Sequence, residues 1–491
     1  MRRFPYPAAF ASLACMLVAA SGPATAQSDP AVLYQRNCAG CHGSDRQGTG
    51  LGPPLSPQAY RYGGTRADLA RVIGRGIASQ GMPAFDGTLT PGQIEALAAF
   101  LPAREAAPEE QEEYAEDAAA QRVSDPVPGV TDTLDYAVRA QVFVDGLQTV
   151  WAMAFLDPGT ALVVERTGRL RLVHNGVLDP RPIAGTPAVH VSSHRWNQGG
   201  LLDIALDPGY AHNGWIYLSY SHPLDGVGED TRAMTRVVRG RVRDHAWVDE
   251  QMVFEADAAA YDSTAWHYGG RMVIDDAGAL LVPVGDRGTM ERARNPSDPA
   301  GKMHRMQGDG GAPAGHAFPA LPGALPTLYS LGHRNPQGMA IDPDSGRIWA
   351  TEHGPRGGDE LNIIRAGADY GWPVVTYGIN YNGTVLTPHT RAEGIEQPVY
   401  YWRPSIGVSG LALYRGAEFP LWNGKLLVTA LGRRELRLLT LDGERVLHEE
   451  VVFRSAGRPY EPVVGPDGAI YLLTDDPGQI LRLTAAAERR Q

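Results

Sequence analysis

From about residue 150 the chain repeats one pattern: an apolar run, a turn carrying Asp or Pro, a Gly, and a second apolar run. The copies are Met153–Val164 around Asp157-Pro158-Gly159, Leu202–Tyr220 around Asp207-Pro208, and Met272–Val284 around Asp275-Asp276-Ala277-Gly278. Gly338–Thr351 around Asp342-Pro343-Asp344, Leu411–Val428 through Trp422-Asn423-Gly424, and Val463–Leu473 through Pro466-Asp467-Gly468 complete the set. Each reads as a β-hairpin. The turn glycines Gly159, Gly214, Gly278, Gly346, Gly424 and Gly468 lie 55, 64, 68, 78 and 44 residues apart. Six hairpins at that uneven spacing predict six four-stranded blades with loops of varied length, an all-β six-bladed β-propeller. A two-sheet sandwich is the alternative, but a segment of about 350 residues is large for one. Asp132–Val144, a strand-like run ahead of the first hairpin, is expected to add the outer strand that closes the ring beside the last blade.

Ahead of this body the periodicity changes. Residues 1–26 combine Arg2 and Arg3, an apolar run ending near Ala20 and the small-residue site Ala24-Thr25-Ala26, the pattern of a cleaved export signal. No later run approaches 18 apolar residues, so no membrane span is expected. Residues 27–103 read as a small all-α domain: a helix over Ala31–Asn37, a middle helix through Arg71, Val72, Ile73 and Gly74, and a last helix opened by Thr90-Pro91-Gly92-Gln93. Thr90 suits the N-cap, Pro91 the first helical position, and Gln93 completes a capping box. Ile94, Leu97, Ala98 and Leu101 then form one apolar stripe. Residues 104–126 turn to Glu, Ala, Gln and Pro with eight acidic residues, an extended, self-repelling linker that leaves 127–491 for the propeller.

Charge narrows the function. Without Arg2 and Arg3 the exported chain carries 42 basic against 55 acidic residues, about −13, which argues against a nucleic-acid partner. Its two remaining cysteines fall in Cys38-Ala39-Gly40-Cys41-His42, a c-type haem attachment sequence: thioether links from Cys38 and Cys41, with His42 as proximal iron ligand. A redox or structural cysteine pair followed by a chance histidine is the plainer alternative. Between Gln27 and residue 130 the one methionine is Met82, in Gln80-Gly81-Met82-Pro83, and there is no second histidine. Elimination therefore gives Met82 as sixth ligand, and His/Met ligation fits electron transfer better than catalysis at the iron. The attachment sequence and the Gly-Met-Pro turn make residues 28–104 similar to class I bacterial cytochrome c domains.

Polar segments recur where the propeller's inner strands begin and end. They are Asn197-Gln198-Gly199-Gly200-Leu201-Leu202-Asp203, Trp266-His267-Tyr268-Gly269-Gly270-Arg271, Gly285-Asp286-Arg287-Gly288, Ser330 to Gly338, Glu352 to Asn362, and Tyr370-Gly371-Trp372-Pro373. Turn formation explains their Gly and Pro but not their Arg, His and Gln. His267 and Asp286 could meet across a strand pair, the carboxylate fixing the imidazole tautomer and making it a better base. Arg334, Asn335 and one of Arg433, Arg434 or Arg458 could clamp a compact polyanion. Gly354 and Pro355 could expose adjacent carbonyls that, with a ligand carboxylate, make an oxygen-only site for a hard cation such as calcium.

Residues 150–480 resemble the soluble PQQ-dependent sugar dehydrogenases of the glucose/sorbosone dehydrogenase family, especially its aldose dehydrogenase branch. The matching features are Gln198-Gly199-Gly200-Leu201-Leu202, Gly285-Asp286, Gly332-His333-Arg334-Asn335, Gly354-Pro355, Asp359-Glu360-Leu361-Asn362 and Tyr370-Gly371-Trp372-Pro373. The resemblance implies His267 as general base and Asp286 as holder of the imidazolium. It implies PQQ contacts from Gln198, Arg334, Asn335 and Arg458, and a calcium ion on the Gly354 and Pro355 carbonyls. Two positions depart from the family pattern. Where the family commonly has a lysine, Leu431-Gly432-Arg433-Arg434 offers Arg433, or Arg434 by another gap placement. The second PQQ-facing arginine falls on Tyr460.

Together the halves imply a periplasmic quinohaemoprotein carrying PQQ, haem c and Ca2+. It would oxidise an aldose, or a related aldehyde or alcohol, and pass electrons through its tethered haem to an external acceptor: a soluble cytochrome, a copper protein or the respiratory chain. A calcium-dependent propeller hydrolase of the lactonase type, and a non-enzymatic propeller that binds glycans or a redox partner, are the competing readings. Neither gives the cytochrome an obvious task.

Overall fold

The structure, a computed structural model, describes residues 29–47, 54–56, 60, 66–77, 82–102 and 130–488, apart from 195, 196, 227, 229, 230, 276 and 314. The expected export signal, the acidic linker and Gln80-Gly81 lie outside the described residues. Two compact units emerge, one on each side of residues 103–129.

The first unit is helical: α1 (Pro30–Asn37), α2 (Ala39–His42), α3 (Arg66–Arg75) and α4 (Pro91–Phe100). Its helix starts follow from the sequence. Asp29 accepts the Ala31 N–H at 2.9 Å ahead of α1. At α4 the Thr90 hydroxyl accepts the Gln93 N–H (3.3 Å) while the Gln93 side chain accepts the Thr90 N–H (2.9 Å). Both arms of the capping box are therefore made. Ile94, Leu97, Ala98 and Leu101 turn inward onto Leu33, Tyr34, Leu69 and Ile73.

The second unit is a ring of six antiparallel sheets. Ahead of the ring run β1 (Val130–Asp132) and β2 (Tyr136–Val144). β3 (Val150–Asp157), β4 (Thr160–Glu165), β5 (Arg169–His174) and β6 (Val177–Leu178) form the first blade. β7 (Leu201–Leu206), β8 (Ile216–Pro223), β9 (Ala233–Arg243) and β10 (Ala246–Phe254) form the second. The third holds β11 (Val273–Ile274), β12 (Ala279–Val284), β13 (Lys302–Gln307) and β14 (Leu328–Leu331). The fourth holds β15 (Pro336–Asp342), β16 (Arg347–Glu352), β17 (Asp359–Ile364) and β18 (Tyr400–Trp402). β19 (Val408–Leu413), β20 (Leu426–Ala430), β21 (Glu435–Asp442) and β22 (Arg445–Arg454) make the fifth. β23 (Arg458–Val464), β24 (Ile470–Asp475) and β25 (Gln479–Glu488) begin the sixth, which β2 and then β1 complete from the other end of the domain.

Each repeated hairpin in the sequence is the first strand pair of one blade, and five of the six turns have a shared cause. Asp157, Asp207, Asp275, Asp342 and Asp467 each accept, through a carboxylate oxygen, the backbone N–H two residues on, at 2.8 to 3.1 Å. This is the Asx turn that an aspartate at a strand end favours. The first strands pack side by side about the axis, β3 on β7, β11 on β15, β15 on β19, β19 on β23 and β23 back on β3. Ring closure by β2 is reinforced sideways, because Asp135 accepts from Trp422 Nε1 (3.1 Å) and pairs with Lys425 (2.9 Å) on the fifth blade. Trp422 is fully buried and stacks on Phe419, with centroids 4.4 Å apart.

Candidate active site

The antiparallel register puts the entry to each first strand and the exit of each second strand at one end of the ring. Pro336 lies opposite Glu352, for example, and the His353 N–H reaches the Asn335 carbonyl at 3.2 Å. The polar segments of the sequence therefore gather at a single mouth.

At its centre are His267, entering β11, and Asp286, leaving β12. His267 Nδ1 lies 2.6 Å from Asp286 Oδ1. The second carboxylate oxygen accepts from Trp372 Nε1 at 2.8 Å, and Oδ1 also takes the Gly288 N–H at 2.8 Å. With its carboxylate facing three N–H donors, Asp286 keeps the imidazole proton on Nδ1 and leaves Nε2 as the basic nitrogen. The approach needs a glycine: a Cβ on Gly285 would stand 2.4 Å from the His267 carbonyl oxygen. His267 itself has φ +58°, a left-handed conformation unfavourable for a side-chain-bearing residue. Two anchors hold it there. Its N–H donates to Gln198 Oε1 at 2.8 Å, and Arg287, fully buried over the Tyr268 ring, donates to the carbonyls of Trp266 and Thr264.

Burial, with Arg334 adding, pushes the His267 imidazole down to about 4, although Asp286 pulls the other way. Desolvation works to raise Asp286, but His267, Arg334 and the Gly288 N–H together hold it below the usual carboxylate range. At neutral pH the pair is thus a neutral imidazole beside a carboxylate, the state a general base requires.

Gln198 and Asn335 share this network, since Asn335 Nδ2 donates to Gln198 Oε1 at 3.3 Å and Asn335 Oδ1 accepts from Gly269 N (3.3 Å) and Gln337 Nε2 (3.1 Å). Arg334 donates to the His353 carbonyl at 3.1 Å and lies over Trp372. Glu352 accepts the backbone N–H groups of Arg334 and Asn335 and holds His333 at 2.9 Å, fixing the whole turn. A small cavity runs from Arg334 past His353 to Gly354, Pro355 and Glu360.

The Gly354-Pro355 turn is set by Asp359, whose carboxylate accepts from Gly354 N (3.1 Å), Ser405 Oγ (2.9 Å), Ile406 N (3.1 Å) and Val408 N (3.0 Å). A Cβ on Gly354 would meet the Gly358 carbonyl at 2.2 Å. Among the described residues no cluster of three or more His, Cys, Asp or Glu could hold a metal. With Asp359 committed to the turn and the Pro355 carbonyl accepting from Ser405 Oγ at 3.3 Å, a hard cation on the carbonyls expected from the sequence would draw its remaining oxygens from a ligand. Among the described residues the Nε2 atom of His353 is buried without a partner, a polar atom that a bound polar group would satisfy.

Arg458 opens β23 opposite Asp475, near enough to help lower His353 after burial and Arg334. Arg433 stands apart, lining a groove of ≈ 590 Å³ with Tyr400, Tyr401, Trp402 and Arg403. Arg434, with φ +54°, is spent on the Ala456 carbonyl. Sequence reasoning assigned no role to Trp372, His353, Glu352 or Arg287. Only the Tyr-Gly-Trp-Pro and Glu-His-Gly-Pro strings hinted at the first three.

In the helical unit Cys38 caps α2, and the Cys41 and His42 N–H groups return to its carbonyl at 3.1 and 3.0 Å, so the attachment motif is wound into one turn. Cys38 and Cys41 are not joined in a disulfide. Burial, with Cys41 adding, pushes the Cys38 thiol up to about 11, the reverse of what a redox-active thiol needs. Met82 is half-buried and bridges to Ile77 through both backbone groups. Among the described residues the Tyr60 hydroxyl is buried with no partner, as suits a domain that holds a prosthetic group with polar substituents.

An acid–base pair sealed in the mouth of a β-propeller defines the class, a propeller enzyme. The family follows from comparison: the Glucose / Sorbosone dehydrogenase model matches residues 147–482, and the chain belongs to that family of oxidoreductases. Residues 25–101 match the family described as Cytochrome C oxidase, cbb3-type, subunit III. The aldose sugar dehydrogenase YliI of Escherichia coli is 38% identical over 355 residues, covering 71% of this chain and 93% of the relative. Quinoprotein glucose dehydrogenase B of Acinetobacter calcoaceticus is 24% identical over 363 residues, 58% of this chain and 74% of its own. The crystal structure of the soluble E. coli aldose sugar dehydrogenase in its apo-form superposes with a TM-score of 0.66 at 37% identity, covering 71% of this chain and all of that one.

Proposed function

We propose that the protein is an exported, periplasmic quinohaemoprotein. It oxidises an aldose, or a related aldehyde or alcohol, with PQQ and calcium in the propeller mouth, and passes the electrons through its own haem c to an external acceptor. The observation that carries this reading is the His267–Asp286 pair beside Arg334 and the Gly354-Pro355 carbonyls, in a chain that also bears Cys38-Ala39-Gly40-Cys41-His42. The names of its relatives, an aldose sugar dehydrogenase and a quinoprotein glucose dehydrogenase, support it.

When bound, PQQ supplies the two-electron acceptor and calcium a Lewis acid beside it. The chain's own residues do the rest. His267 takes the proton from the anomeric hydroxyl through Nε2 while the hydrogen on the same carbon departs with its electron pair, so the sugar leaves as the lactone. Asp286 stabilises the imidazolium through the 2.6 Å contact, and Trp372 keeps the carboxylate from rotating away. Arg334, Arg458, Asn335 and Gln198 would hold the cofactor; Arg433, expected to join them, lines a separate groove. In the small domain Cys38 and Cys41 would bind the haem covalently, and His42 and Met82 would ligate its iron.

Apoprotein supplied with calcium, an aldose panel and an artificial dye acceptor tests the reading. Dye reduction that requires added PQQ is expected, and equal reduction without PQQ would overturn it.

A further inference from the structure

Most arginines of the propeller lie within salt-bridge distance of a carboxylate, as Arg171, Arg271, Arg292 and Arg437 do. Three at the mouth do not, among the described residues: Arg334, Arg458 and Arg166. Arg334 is nonetheless 7% exposed, and a buried cation with no carboxylate in direct contact is costly unless a ligand brings one. Arg166 has had no part in the site so far. It directly follows β4, the second strand of the first blade, as Asp286 and Gly354 come two residues after the second strands of the third and fourth.

Its contacts aim it at the same centre. Arg166 Nη1 donates to the Asn197 carbonyl at 2.6 Å, and its own carbonyl accepts from Leu201 N at 3.0 Å. One residue thus grips both ends of the Asn197–Leu201 segment that delivers Gln198 to the His267 N–H. A Cβ on Gly200 would stand 1.9 Å from the Arg166 carbonyl oxygen, so this grip requires the glycine. The guanidinium lies 5.4 Å from the centroid of the Trp151 ring, whose centroid is 4.4 Å from that of Tyr460. Trp151 therefore backs the guanidinium, and among the described residues its one side-chain hydrogen bond is that to Asn197, which leaves its other N–H groups for a ligand.

We propose that Arg166 is a third guanidinium of the cofactor pocket, donating to a carboxylate of PQQ while it positions Gln198. This rests on the quinoprotein reading above.

The test is equilibrium binding of PQQ to the full-length apoprotein with calcium, at several ionic strengths, for wild type, Arg166→Gln, Arg166→Lys and Arg334→Gln. Loss of one charge-assisted contact predicts ten- to hundred-fold weaker binding for Arg166→Gln, with a shallower dependence on salt. Arg166→Lys keeps the charge and should retain the wild-type salt dependence with affinity within about tenfold. If Arg334→Gln loses affinity while Arg166→Gln binds like wild type, the Arg166 assignment falls and the quinoprotein reading stands. Wild-type protein that binds no PQQ overturns both. Should Arg166→Gln lose its thermal transition, Arg166→Lys decides: a salt dependence as shallow as that expected for loss of the charge refutes the proposal.

Discussion

Replacing Asp286 by Asn changes no shape but removes one acceptor and the charge. The carboxylate now serves three N–H donors: His267 Nδ1 at 2.6 Å, Gly288 N at 2.8 Å and Trp372 Nε1 at 2.8 Å. An amide offers one oxygen, so whichever way it turns a donor faces a donor. If its oxygen stays on His267, Trp372 loses its partner, at about 1–3 kcal/mol for a buried unsatisfied group. If it turns, the amide N–H meets Nδ1, the imidazole proton moves to Nε2, and the base is lost. In either arrangement the forming imidazolium loses its counter-charge. The equivalent exchange in Ser-His-Asp hydrolases lowers turnover about 10⁴-fold, so a fall of 10³- to 10⁴-fold, or about 4–5.5 kcal/mol of transition-state stabilisation, is expected here. Dye-coupled kcat/KM with PQQ-loaded protein measures it. Because Asp286 raises the His267 pKa, the variant's residual activity should also persist to lower pH than wild type. A kcat/KM within threefold of wild type would refute the assignment of the pair.

His267→Gln should abolish haem reduction by sugar while dithionite still reduces the iron, and unchanged sugar-driven reduction would remove His267 as base. In the wild type, with the imidazole pushed down to about 4, activity should fall as pH drops through about 4 and not through 6.5; an acid limb near 6.5 would contradict the burial argument. The same group is protonated near 6.5 in the unfolded chain, so its contribution to stability declines as pH falls from about 6.5 to 4, which pH-resolved melting would show. Met82→Ala should change the haem spectrum and lower its potential without affecting dye-coupled turnover; an unaltered spectrum would exclude Met82 as ligand.

Much of this architecture was legible because its causes are local. Asp157, Asp207, Asp275, Asp342 and Asp467 announce five of the six hairpins through an interaction that spans two residues. Thr90 and Gln93 announce α4 in the same way. The strand that closes the ring was visible as a strand-like run ahead of the first repeated hairpin, and it pairs with β25 from the far end of the domain. The site was less legible because its contacts are not local. Trp372 reaches Asp286 across 86 residues and Asn335 reaches Gln198 across 137. Arg166 looks in sequence like any strand-end arginine; only the ring places it beside Gln198. The placing of Arg433 in a separate groove, and of the Arg434 guanidinium on the Ala456 carbonyl, likewise needed the backbone.

Rapid mixing of anaerobic, PQQ- and calcium-loaded full-length protein with an aldose, followed at the haem absorption bands, tests the central claim most directly. Ferrous bands should appear with a rate independent of protein concentration, as transfer within one chain requires. Iron that stays ferric while an added dye is reduced would show that sugar electrons do not pass through the protein's own haem.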